Sequence, residues 1–301
     1  DLVVIVGSNL AWAHPVLYQR LAAAKAARPA MRVAVVDPRR TATCDIADLH
    51  LALDPGTDVA LFAGLLCHLD CAGVRDAAYI EGCTAGLADA LSAASAAVPD
   101  AAAAAKLCGV PVHAVAALYE EFARTGRTVT IFSQGVNQSS AGTDKVNAII
   151  NCHLFTGRIG RAGMGPFSVT GQPNAMGGRE VGALANQLAA HMSFAPEETD
   201  RVARFWRAPR IATRPGLKAV DLFRAVEAGE IKALWIMATN PAVSLPDADQ
   251  VRRALARCPF VAISDCTRDT DTGAFAHVRL PALGWGEKDG TVTNSERCIS
   301  R

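Results

Sequence analysis

The chain has 301 residues, of which half are apolar and a fifth charged, with a formal net charge of +1. That balance describes a globular protein with material for one large or two medium cores, and it offers no net field for nucleic acid or an acidic partner. The nine cysteines form no Cys-x-x-Cys pair, which fits a reducing compartment better than a disulfide framework, and the Ala-rich run at 91–105 is broken by Pro99 and Asp100, so neither a membrane span nor a signal peptide is read.

In chain order, residues 2–6 are an apolar run closed by Gly7, and residues 32–36 a second closed by Asp37 and Pro38. Between them, residues 14–27 place Val16, Leu17, Leu21 and Ala24 at helical spacing. Strand, helix and strand with short connections predict a right-handed crossover, parallel strands and a ligand edge at the strands' carboxyl ends. Gly7, Ser8 and Asn9 follow the first strand. The glycine permits close backbone approach, and Ser8 or Asn9 suits either a helix cap or a ligand. Asp37, Pro38, Arg39 and Arg40 follow the second. An acid there reads a ribose in nucleotide-binding folds and arginines suit phosphates; equally, Asp37 and Pro38 make a turn with solvated arginines. The G-x-G-x-x-G fingerprint is absent, which disfavours an ordinary NAD domain but not a nucleotide-bearing cofactor on the same edge. Gly56, Thr57 and Asp58 precede a helix over 59–69, with Thr57 or Asp58 as N-cap or as part of a ligand-holding helix start. Cys67 and Cys71 share a face of that helix and are assigned to packing, because two cysteines do not complete a tetrahedral metal site.

Helices are predicted over 85–97, 99–108 and 111–124, the last two opened by prolines in the first turn, with Tyr119 and Phe122 in the core. A strand over 128–132 leads into a glycine- and amide-rich stretch, 133–182, too long for a plain linker. Gly135, Asn137 and Gln138 stand at the strand's end. A helix over 144–154 turns Val146, Ile149, Ile150 and Leu154 inward, and residues 156–165, with four glycines and two arginines, suit an anion-holding turn. Residues 171–180 place two amides, Met176, Arg179 and Glu180 among glycines. No nucleophile is paired with a base, so covalent catalysis has no support. A polar surface excursion ends near 215. Beyond it, a helix over 217–227, a strand over 231–237 ending near Asn240, a helix over 247–257, a strand over 260–263 ending in Ser264 and Asp265, and a short strand over 278–280 complete the pattern. Polar groups thus recur at successive strand ends.

The runs GVNQSSAGTDKVNAIINCHL, TGRIGRAGMGPFS and TGQPNAMGGREVG resemble the central region of the molybdopterin-dependent oxidoreductases. So do GSNLAWAHP, DPRRTATCDIADLHL, PGTDVALF, ATNPAVSLPD and GWGEKDGTVTNSERCISR, so the resemblance covers essentially the whole chain. Within the family it is closest to prokaryotic assimilatory nitrate reductase, with formate dehydrogenases and a noncatalytic iron-sulfur subunit of the same fold as alternatives. The resemblance implies an internal fragment of a larger cytoplasmic enzyme, inactive alone, made of two related parallel-sheet α/β (Rossmann-like) domains. Residues 1–127 are expected to end an inserted domain that binds a nucleotide arm. Residues 128–301 are expected to form the second cofactor-binding domain, resumed after the insertion and running to the junction with a C-terminal barrel.

The implied cofactor is molybdenum bis(molybdopterin guanine dinucleotide), with a [4Fe-4S] cluster whose ligands, like the molybdenum ligand, lie outside this segment. Nitrate is the implied substrate, and ferredoxin, flavodoxin or an NADH-linked flavoprotein the electron donor; no nucleic acid or membrane partner is implied. Carried over by motif, Gly7, Ser8, Asn9, Asp37, Pro38, Arg39, Gly56, Thr57 and Asp58 hold one nucleotide arm. Gln134, Gly135 and Gln138 approach a pterin. Asn240, Ser264 and Asp265 meet the second arm, and Lys288 a pyrophosphate or pterin. Met176 and Arg179 lie nearest the substrate channel, where Arg179 either guides the planar anion or pairs with a neighbouring carboxylate.

Overall fold

Runs of Val, Ile and Leu give two five-residue strands, Leu2–Val6 (β1) and Arg32–Val36 (β2), paired in parallel with Val6 opposite Val36. The computed structural model, which describes residues 1–172, 174–294 and 296–301, adds Leu49–Leu51 (β3), Thr128–Phe132 (β4) and Gly165–Ser168 (β5). The five form one all-parallel sheet in the order β3-β2-β1-β4-β5. Pro173 and Ser295, which belong to motifs quoted above, lie outside the described residues.

Buried on both faces, β1 carries no polar residue. Leu2, Val4 and Val6 enter a core shared with the helices Asp58–Cys71, Leu87–Ala97, Ala101–Cys108, Val112–Arg124 and Gly142–Phe155, and Val3 and Ile5 enter a second core under the helix Pro15–Ala27. This is the helix-covered sandwich that an all-parallel sheet requires. Tyr119 and Phe122 are fully buried, and the Tyr119 hydroxyl donates to the Leu61 carbonyl (2.6 Å).

Details differ from the sequence expectations. Val16 is exposed, and Tyr18 joins Leu17, Leu21 and Ala24 in facing the sheet. Pro99 precedes the Asp100 N-cap, and Pro111 is itself an N-cap residue, so neither stands in a first helical turn. Cys67 is buried but Cys71 is exposed. In Gly142–Phe155 the buried face is Lys145, Ile149, Cys152, His153 and Phe155; Val146, Ile150 and Leu154 are only partly buried. Both arginines of 156–165 have partners within the fold. Arg158 is buried, donates to the Phe122 and Thr125 carbonyls (both 2.8 Å) and stacks on the Phe122 ring, while Arg161 pairs with Asp76 (2.8 Å).

Two compact units divide the chain, Asp1–Gly171 and Gln172–Arg301. Within the first unit, β4 pairs with β1 along its whole length, from Leu2–Thr128 to Val6–Phe132. In the second unit, Ala233–Met237 (β6), Phe260–Asp265 (β7) and Val278–Pro281 (β8) form a parallel sheet in chain order, and Val292–Thr293 (β9) and Ile299–Ser300 (β10) an antiparallel pair. Ile236, Val261 and Ile263 pack against the helices Ala219–Glu227 and Ala248–Arg257. The polar region before them contains a helix, Pro196–Trp206. Among the described residues, no helix is long and apolar enough to cross a membrane.

Candidate cofactor-binding site

Strand order reverses between β1 and β4, and in open parallel sheets the crevice outside such a switch point is the ligand site. Here two glycines make it. Gly7 leaves β1 with φ +53° and donates to the Val36 carbonyl (2.9 Å), and Gly135, just beyond β4, donates to the Gly7 carbonyl (2.9 Å). A Cβ at Gly7 would stand 2.9 Å from the Gly135 backbone, and one at Gly135 2.7 Å from Gly7 Cα. The two loops therefore meet backbone to backbone, which no side chain would allow.

Around this contact lies a cleft of about 420 Å³, lined by Gly7, Ser8, Asn9, Asp37, Pro38, Arg39, Gly56, Asp58, Gln134 and Gly135 from the sequence reading. It is also lined by Asp54, Ser133 and Lys145, which that reading did not single out. Ser8 is 2 % exposed and its Oγ has no hydrogen-bond partner among the described residues, although a buried hydroxyl without one is disfavoured. Asn9 is tied down, its Oδ1 accepting from the Thr43 hydroxyl (3.2 Å), whose oxygen accepts from the Ala11 amide (3.1 Å). Asp37 is buried at the end of β2, one oxygen accepting from the Arg39 amide (2.9 Å) in a tight turn. Asp37 makes a turn, Arg39 is exposed, and both line the cleft.

Asp58 begins its helix and Lys145 reaches it from Gly142–Phe155, with Nζ 2.6 Å from Oδ2; the two residues are 7 % and 4 % exposed. Thr57 occupies the N-cap position without capping; its hydroxyl donates to the Asp54 carbonyl (2.7 Å). Gln134 lines the cleft and donates to the Thr170 hydroxyl (3.3 Å), whereas Gln138 is exposed past a short helix, Gln134–Asn137, and does not line it.

Behind the cleft, β4 is backed by a buried basic pair. His153 shares a hydrogen bond with Thr130 Oγ1 (2.8 Å), and burial, then the nearby Arg158 charge, holds its pKa down at about 3. Burial lowers Arg158 to about 10. Both side chains are buried.

In the second unit, Asn240 spends its Oδ1 internally, accepting from the Thr272 amide (3.1 Å) and hydroxyl (2.6 Å). Ser264 Oγ accepts from the Trp235 indole (2.9 Å). Asp265 accepts from the Thr267 amide (2.9 Å) and lines a cavity of about 200 Å³ with Arg268 and Arg279. Lys288 lines a hollow of about 480 Å³ with Asn174 and Trp285. Met176 and Arg179 lie in the short helix Ala175–Glu180; Arg179 is exposed with no ion pair among the described residues, and the adjacent Glu180 pairs instead with Arg297 (3.1 Å). No group of three or more ligating side chains converges to hold a metal among the described residues.

The sequence profile of the molybdopterin oxidoreductases matches residues 1–301. The chain belongs to that family. A nitrate reductase of Klebsiella oxytoca is 59 % identical over 302 residues, covering all of this chain and 34 % of the relative. A nitrate reductase of Shewanella frigidimarina is 52 % identical, covering all of this chain and 32 % of the relative. The F420-dependent formate dehydrogenase alpha subunit of Methanocaldococcus jannaschii is 33 % identical, covering 99 % of this chain and 43 % of the relative. The chain thus spans 32–42 % of the length of the nitrate reductases it matches. Acetylene hydratase of Pelobacter acetylenicus shares the fold, with a TM-score of 0.69 at 16 % identity over 98 % of this chain and 42 % of that one. Membership of the family implies a molybdenum-pterin cofactor.

Proposed function

We propose that the chain is the nucleotide-arm-holding part of a larger cytoplasmic assimilatory nitrate reductase that carries molybdenum bis(molybdopterin guanine dinucleotide) and a [4Fe-4S] cluster. The observation that carries the nitrate reading is the identity gradient within the family: 59 % to a nitrate reductase against 33 % to a formate dehydrogenase, each across essentially the whole chain.

The residues present fit the cofactor. The Gly7–Gly135 contact brings two side-chain-free backbone segments to the edge of the cleft, where a bulky phosphate-bearing group needs close approach, and Ser8 Oγ is a buried hydroxyl without a partner among the described residues. On this reading Ser8 and the Gly7 loop hold phosphate oxygens, Asp37 and Arg39 orient the sugar and its phosphates, and Gln134 borders the pterin end. Asp265, with Arg268 and Arg279 beside it, and Lys288 are assigned to the second arm. Asn240 and Ser264 already hold neighbouring residues, so their assigned role is to shape that edge. When bound, the molybdenum centre supplies oxygen-atom transfer from nitrate, while the protein supplies orientation and electrostatics. The exposed guanidinium of Arg179, unpaired among the described carboxylates, is assigned to drawing the planar anion inward, with Met176 beside it. The cluster, when bound, would supply the electron path, and ferredoxin, flavodoxin or an NADH-linked flavoprotein is the assigned donor.

The test is nitrate-dependent oxidation of reduced viologen by the intact enzyme, with molybdenum and guanine nucleotide measured in the same preparation. Nitrate turnover by nucleotide-containing enzyme supports the reading. Formate-dependent dye reduction without nitrate turnover replaces it with the dehydrogenase alternative, and absence of both molybdenum and nucleotide with the noncatalytic iron-sulfur subunit.

A further inference from the structure

Three acidic side chains, Asp37, Asp54 and Asp58, line the cleft against two cations, Arg39 and Lys145. The cations are not equivalent. Arg39 is exposed, so solvent and salt screen its charge, whereas Lys145 is 4 % exposed and acts where the dielectric is low. Lys145 also sits in a register its helix otherwise gives to Ile149 and Cys152, both fully buried. An apolar residue there would be expected to serve packing as well as a buried ion pair does, because two charges lose their hydration on burial. Nor does Asp58 need the lysine merely to begin its helix, since an acid in the first turn is already favoured by the helix dipole. Lys145 and Asp58 both line the cleft.

We propose that Lys145 is a charge-neutralising positioning residue of this cleft: by holding the Asp58 carboxylate at 2.6 Å, it allows a diphosphate-bearing nucleotide arm to sit against an otherwise acidic wall. The proposal rests on the reading of the cleft as a nucleotide site. Without the lysine, the Asp58 charge stands buried beside the incoming phosphates, and like charges at short range in a dry site repel strongly.

The test uses the intact enzyme in four forms: wild type, Lys145→Met, Asp58→Asn, and the double variant. Guanine nucleotide and molybdenum per polypeptide are measured after acid release, and the melting temperature of cofactor-free protein is followed in parallel. Lys145→Met is expected to retain roughly tenfold less nucleotide, and the double variant to recover most of it because the charge balance is restored. A purely structural lysine would move the melting temperature and leave nucleotide content unchanged. Lys145→Gln, which keeps an N–H donor for Asp58, serves if Lys145→Met does not fold, and is expected to lie between Lys145→Met and wild type. Wild-type nucleotide content in Lys145→Met, or a double variant no better than Lys145→Met, overturns the proposal. Absence of guanine nucleotide from the wild type would instead overturn the reading of the cleft.

Discussion

The two units end their parallel strands in similar polar residues and use them differently. At the β1/β4 crevice, Ser8 Oγ is buried without a partner among the described residues and Lys145 is held at the cleft wall by the Asp58 carboxylate. At the ends of β6 and β7, Asn240 is consumed by Thr272, and Ser264 by Trp235. Side chains with hydrogen-bonding capacity left over mark a surface built for a ligand, and satisfied ones mark a surface built to hold its own shape. The contrast makes the first unit the stronger candidate for recognition, with Asp265 and Lys288 the parts of the second that still line open space.

The most severe way to break this contrast is Gly7→Ala. The added Cβ would meet the Gly135 backbone at 2.9 Å from a left-handed φ, so the loops must separate. A loss of about 2–4 kcal/mol in stability is expected together with loss of bound nucleotide, read by thermal unfolding and nucleotide release. Normal loading and melting in this variant would remove the glycine contact from the account.

Acid acts on the interior behind the cleft. His153 is neutral in the fold with its pKa depressed to about 3, against about 6.5 when unfolded. Its contribution to stability is fully present above pH 6.5 and is lost as pH falls towards 3, because the unfolded chain then takes up the proton and the folded one does not. His153→Gln in the intact, cofactor-free enzyme should flatten the fall in melting temperature across that window. An unaltered acid limb would assign the pH dependence to other groups.

Asn240→Ala separates the units. It removes both acceptor contacts to Thr272, one of them to a fully buried hydroxyl, and should cost about 1–3 kcal/mol. Nucleotide attributable to the first cleft should stay in place, so loss of all bound nucleotide would erase the distinction drawn between the two edges. The smallest effect on stability is expected from Arg179→Gln, because the side chain is exposed and makes no ion pair among the described residues. A several-fold higher nitrate KM with normal molybdenum content is expected. An unchanged KM ends its steering role.

Much of this architecture was legible in the chain. Strands β1, β2, β6 and β7 are largely apolar runs and β4 alternates threonine with apolar residues, and residues just past β1, β2 and β4 line the cleft. The features missed have physical causes. β3 is three residues long, and β5 begins Gly-Pro, so neither shows an apolar run. Pro196–Trp206 lies within a polar, proline-containing stretch and buries only Val202, with Phe205 and Trp206 exposed. Lys145 was passed over because helical periodicity counts apolar residues, and a lysine buried by an acid from another helix leaves no local mark. The one available signal was its position in the buried register with Ile149 and Cys152.

Whether the β1/β4 crevice is the nucleotide site is tested most directly by a crystal structure of the intact, cofactor-loaded enzyme. The account predicts a nucleotide oxygen or nitrogen within hydrogen-bond reach of Ser8 Oγ, at about 2.7–3.2 Å, with the Asp58–Lys145 pair intact beneath it. A fully loaded enzyme whose Ser8 hydroxyl contacts only water, with every nucleotide bound elsewhere, would contradict it.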